Sequence, residues 1–110
     1  MSRLIVNADD FGLHPSVNEA IVKCHTNGIV PSSSLLASGN AFNDAVSLAQ
    51  SLPNLGIGVH VALVGGIRPV SNPKDVPSLL TKDGVFPETY TELMKRIYLG
   101  KINYAELRQE

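Results

Sequence analysis

The sequence predicts an α/β fold with parallel strands. Three observations carry that expectation: apolar stretches alternate with helix-period stretches in the order β-α-β-α-β, the links between them are short, and chemistry-bearing residues end the first and third apolar stretches. Short links in such an alternation call for parallel strands joined by right-handed crossovers. With 110 residues the chain holds one domain at most, and 44% hydrophobic against 17% charged residues argues against disorder.

The first strand is expected over residues 3–8, from the apolar run LIVNA at 4–8, with a turn at Asp9-Asp10-Phe11-Gly12. A helix follows over 16–27. Ser16 and Glu19 fit a capping box, and Val17, Ala20, Ile21 and Cys24 repeat as one apolar face, which makes Cys24 a core residue. Gly28 suits the helix end. A second strand is expected within 29–38, chiefly 33–38, although Pro31 and three serines interrupt its apolar signal. Asn40 is placed to cap a second helix over 41–51, with Phe42, Ala45, Val46 and Ala49 on one face and Pro53 beyond its end.

The third strand, 56–63, carries the clearest pattern. One parity holds Leu55, Ile57, Val59, Val61 and Leu63; the other holds Gly56, Gly58, His60, Ala62 and Val64. Large groups on one face and small groups around a histidine on the other suit a strand covered by helices outside and facing a site inside. Residues 65–87 are dense in Gly and Pro and read as a long loop, either a functional lid or disordered. Tyr90, Leu93, Met94 and Ile97 then share a helix face before Gly100, and Asn103 can cap a last helical run to Glu110.

Three parallel strands make a small sheet with open edges, whereas a closed (β/α) barrel takes about 250 residues. The chain is therefore expected to be the N-terminal part of a longer protein. Nine Lys and Arg against ten Asp and Glu give a net charge of −1, which excludes a basic nucleic-acid footprint and a polybasic membrane patch. No apolar run approaches the roughly 20 residues of a membrane span, and the start Met1-Ser2-Arg3 leads into too short an apolar run for a signal peptide. Cys24, the single cysteine, can form neither an internal disulfide nor a Cys-rich zinc site. A cytoplasmic location is expected.

Asp9 and Asp10 fall at the C-terminal end of the first strand, where α/β proteins place their active sites. Neighbouring strand residues point to opposite faces, so both serve one site only if the chain turns there, as Gly12 would allow. One carboxylate could then bind a cation while the other takes a proton from water; the alternative is a strand-end turn capped by an aspartate. His60 is either a core histidine bonded to a carbonyl or, taken with Asp9 and Asp10, part of a metal site. Asp10 and His60 supply only two ligands, whereas catalytic zinc usually has three protein ligands. His14 either lines the site or is simply exposed, and Arg68 either meets a polar or anionic substrate or is a solvated loop residue. Asp10-Phe11-Gly12 also spells the magnesium-binding tripeptide of protein kinases, but the other kinase motifs are missing.

LIVNADDFG at 4–12 and HPSVNEAI at 14–21 resemble the start of the YdjC-like carbohydrate deacetylases, a family that includes diacetylchitooligosaccharide deacetylases and hopanoid-biosynthesis-associated proteins. The resemblance continues through GIVPSSSLLASGNAF at 28–42, GIGVHVALVGGIRPV at 56–70 and VPSLLTKDGVF at 76–86. Pro31 departs from the family's usual Thr, and Val59 and Val61 from the Leu residues flanking the histidine. The resemblance implies that residues 1–110 are the N-terminal part of a single deacetylase domain with a (β/α) barrel-like fold. It implies metal-dependent removal of an acetyl group from an N-acetylated sugar or oligosaccharide. Asp9 would be the general base, and Asp10 and His60 would bind one divalent metal ion, zinc or magnesium. A further His-rich segment of the family, which nothing in this chain matches, would supply the third ligand. Apart from the resemblance, His14 and Arg68 stay candidates for touching substrate, each with its exposed, solvated alternative. No nucleic-acid or membrane partner is expected, and a homo-oligomer is left open. A non-catalytic sugar-binding or oligomerising module, or another metal-dependent hydrolase such as a phosphoesterase, remains as the alternative.

Overall fold

The structure is a computed structural model that describes residues 4–110. The chain divides into two compact units, one ending at Val61 and one running from Ala62 to Glu110.

The first unit is a parallel sheet with two helices. Strand β1 (Asn7–Phe11) leads to helix α1 (Pro15–Asn27), β2 (Ser32–Leu36), α2 (Phe42–Gln50) and β3 (Gly56–His60). The sheet order is β1-β2-β3, both pairs parallel, as the alternating pattern requires. The helix-facing side closes over Phe11, Ile21, Ala45 and Leu55, with Ala8, Val17, Leu35 and Leu48 packed against them.

Several expectations need correction. β1 does not cover residues 4–6: Leu4 and Ile5 are each 82% exposed, and the strand begins at Asn7. Residue 3, the expected start, lies outside the described residues. Pro31 explains the shift, because it has no N–H for the ladder. β2 therefore starts at Ser32, and Ser32 pairs with Asn7. The capping box does not form. His14 caps α1, its Nδ1 accepting the Ser16 amide at 3.2 Å, with Pro15 in the first turn. The buried positions of α1 are Asn18 and Ile21, so the helix is turned away from the expected stripe and Cys24 is exposed. Ala41, rather than Asn40, precedes α2, and it makes no side-chain cap. β3 ends at His60, and Ile57, Val59 and Val61 on its large-residue face are exposed rather than covered.

The second unit has its own core of Val76, Leu79, Leu80, Phe86 and Ile102. Residues 65–87, expected as a lid or disordered loop, supply most of this core and contain a short 3-10 turn at Pro77–Leu79. Helices α3 (Tyr90–Tyr98) and α4 (Tyr104–Gln109) follow. Asn103 caps α4 as expected, its side-chain oxygen accepting the Ala105 amide at 2.9 Å. No helix among the described residues is long and apolar enough to cross a membrane.

Candidate active site

The site is built at the C-terminal ends of β1 and β3. Two strand spacings, roughly 10 Å, would separate residues on strands that flank a common neighbour. A bulge closes the gap. The β1–β2 register shifts between Ala8 and Phe11, and Asp10 adopts φ 67°, a left-handed conformation uncommon for a residue with a side chain. The backbone thus turns at Asp10 itself, ahead of Gly12. The Asp10 amide donates to His60 Nδ1 at 3.3 Å, and Asp10 Oδ1 lies 3.5 Å from the same nitrogen. In a neutral ring, that donation puts the imidazole proton on Nε2.

Asp9 is held on the sheet face that also carries Asn7. Asn7 Nδ2 donates to Asp9 Oδ1 at 2.8 Å and to Ser34 Oγ at 2.8 Å, while Asn7 Oδ1 accepts from Ser32 Oγ at 2.8 Å. Ser33, on the other face, is fully buried and donates to the Ala8 carbonyl at 2.7 Å. The three serines that weaken the apolar signal of β2 are therefore all bonded to β1.

The loop after β1 is fixed from below by a buried amide. Asn18, with no exposed surface, accepts the Gly12 amide at 2.7 Å and donates to the Ala41 carbonyl at 3.1 Å and to Asp44 Oδ2 at 2.7 Å. It ties the β1–α1 loop to the start of α2. Gly12 has φ 104°, and a Cβ at Gly39 would collide with the Gly12 carbonyl oxygen. Sequence reading missed Asn7 and Asn18. The period-2 rule could have found Asn7, since it shares a strand face with Asp9; a buried asparagine inside a helix leaves no periodic signal.

Asp10 and His60 fit part of a cation site. A tetrahedral centre with nitrogen and oxygen ligands about 2.1 Å away sets adjacent ligands about 3.4 Å apart, close to the observed 3.5 Å. Among the described residues no group of three His, Cys, Asp or Glu side chains could hold a metal ion. His14 is exposed, with Nδ1 engaged in the helix cap and within 2.9 Å of Ser16 Oγ. Arg68 is exposed in the second unit. A cavity of about 300 Å³ lies at the opposite ends of the strands, lined by His25, Val30, Pro31 and Asn54 among others; His25 Nδ1 is bonded to the Val30 carbonyl oxygen at 2.7 Å.

The family model described as YdjC-like protein matches residues 3–110. The chain is 42% identical over 86 residues to a carbohydrate deacetylase of Thermoanaerobacter pseudethanolicus, covering 78% of this chain and 34% of the relative. It is 46% identical over 82 residues to a chitooligosaccharide deacetylase of Salmonella paratyphi B, covering 74% and 31%. The chain spans about a third of the length of these curated relatives. Among solved structures, a protein of Enterococcus faecalis V583, described as a candidate cellobiose-phosphate cleavage protein, superposes with TM-score 0.81 at 35% identity over 96% of this chain and 39% of that one.

Proposed function

The chain belongs to the YdjC-like protein family, and on that premise we propose that it supplies the base and two metal ligands of a metal-dependent carbohydrate deacetylase. The observation that carries the reading is the convergence of Asp10 and His60, 3.5 Å apart, beside Asp9 at one end of the sheet. The substrate class is an N-acetylated sugar or oligosaccharide, in keeping with the names of the relatives.

Asp10 Oδ1 and His60 Nδ1 would hold a divalent cation, zinc or magnesium, the cation taking the Nδ1 lone pair that accepts the Asp10 amide in this structure. A bound cation of this kind polarises an amide carbonyl and makes water a better nucleophile at neutral pH. Asp9 has one oxygen, Oδ1, occupied by Asn7. Its Oδ2 takes the proton of the water that attacks the acetyl carbon. The water oxygen bonds to the acetyl carbonyl carbon, the C–N bond breaks, and the proton taken by Asp9 passes to the amine nitrogen, so that acetate and the free amine leave. His14 keeps Nε2 for a sugar hydroxyl, because only its Nδ1 is used in the cap.

The description of the Enterococcus faecalis neighbour supports a second reading, hydrolysis of a phosphorylated disaccharide. Both are tested on the gene product at its natural length. Acetate release from N-acetylglucosamine oligomers is followed beside product release from cellobiose phosphate, each with and without a chelator. The first reading expects acetate release that a chelator abolishes and an added divalent metal restores. Turnover of cellobiose phosphate alone would replace it with the second.

A further inference from the structure

We propose that Asn7 is a positioning residue for catalysis, acting through Asp9; this rests on Asp9 being the base. Asn7 touches neither Asp10 nor His60 by any hydrogen bond among the described residues. Its side-chain amide uses its capacity in one direction. Both strong donations from Nδ2 go outward, to Asp9 Oδ1 and Ser34 Oγ, and Oδ1 is taken by Ser32 Oγ. The reverse orientation would set the amide oxygen against a carboxylate oxygen, so the donor must face Asp9. The two serines belong to β2, and the Asn7–Ser32 pair is the first rung of the β1–β2 ladder. Asn7 is therefore anchored at two points on a neighbouring strand and at a third point holds one carboxylate oxygen.

That arrangement has a use at this position. Asp9 is exposed, and it begins a bulge whose next residue is left-handed, so the backbone alone does not fix its carboxylate. A base must stand within hydrogen-bond reach of the proton it takes, and a misplacement near 1 Å can cost about a hundredfold. Asn7 occupies Oδ1 and leaves Oδ2 without a hydrogen-bond partner among the described residues, which selects the reacting oxygen. Ser33 of β2, by contrast, is buried on the other face and bonds a backbone carbonyl.

The test is a double-mutant cycle in the natural-length gene product, measuring kcat, KM, bound metal and melting temperature. Asn7→Ala should lower kcat about tenfold to a hundredfold, with KM and metal content within twofold and the melting temperature little changed, because Asn7 is exposed. Ser34→Ala, which frees one anchor, should lower kcat less. In the Asp9→Asn background, Asn7→Ala should cost nothing further. Unchanged kcat in Asn7→Ala, or a full additive loss in the Asp9→Asn background, overturns the proposal while leaving Asp9 as the base. Full turnover in Asp9→Asn itself removes the base assignment and the proposal with it. If Asp9→Asn is too slow for the second half of the cycle, the crystal structure of Asn7→Ala decides. A displaced or multiply positioned Asp9 carboxylate supports the proposal, and an unmoved one overturns it.

Discussion

Asp10 carries the most strained backbone of any non-glycine position among the described residues. Its φ of 67° is the only positive value at a non-glycine position among the described residues. Left-handed backbone costs a residue with a Cβ roughly 1–2 kcal/mol, less for Asp than for Ala. Strain of this kind persists where the surroundings over-determine it, and here the Asp10 amide is bonded to His60 Nδ1. Comparing Asp10→Gly with Asp10→Ala isolates the backbone effect, since both lack the carboxylate. The glycine variant should be the more stable by about 1 kcal/mol in denaturant unfolding. Equal stabilities would mean that the left-handed turn is not present in solution.

The elements around the site depend on one buried amide. Asn18 satisfies the Gly12 amide, the Ala41 carbonyl and Asp44 together. Asn18→Leu keeps the approximate volume but leaves those groups without partners. Its expected cost is about 2–4 kcal/mol, read from the shift of the urea midpoint. In the second unit, Glu106 joins the start of α4 to the 3-10 turn, accepting the Ser78 amide at 2.7 Å and the Asn103 side chain at 3.1 Å. Desolvation pushes its carboxyl up, but hydrogen bonds from Ser78 and Asn103 outweigh that and hold it below its ordinary value. A depressed carboxyl stabilises the fold above its unfolded value, about 4.3, and the contribution is lost as pH falls through the lower folded value. Protection of the Ser78 amide, taken against the unstructured-peptide exchange rate at the same pH, should fall over that acidic window, and Glu106→Gln should remove the dependence. Much of this element level was legible in the sequence. The β-α-β-α-β order, the parallel pairing and the Asn103 cap follow from periodicity and turn chemistry. The slip of β1 to Asn7–Phe11 was not, because apolar content at 4–6 marks a strand only if a neighbour offers ladder partners, and Pro31 withholds them. Nor was the bulge, since a register shift depends on the neighbouring strand and not on local composition. Cys24 was misplaced because Asn18, a polar residue, sets the buried side of α1.

At the scale of the whole molecule, each unit has a core and each leaves apolar groups in water. Val59 and Val61 of the first unit are 81% and 76% exposed, and Tyr90, Met94 and Tyr98 on α3 are also exposed. Among the described residues β3 pairs on one side only, and exposed Val59 on that strand favours association. Residues 1–110 expressed alone should self-associate in sedimentation at micromolar concentration, and Val59→Lys should reduce it; a monomer throughout would show that these groups do not associate. The central claim, that Asp10 and His60 hold a cation while Asp9 moves a proton, is tested by measuring metal content and acetate release together in the natural-length gene product. Asp9→Asn should keep its metal and lose turnover about a hundredfold or more, whereas Asp10→Ala and His60→Ala should lose both. Equal loss of metal in all three variants, or wild-type turnover in Asp9→Asn, would contradict the account.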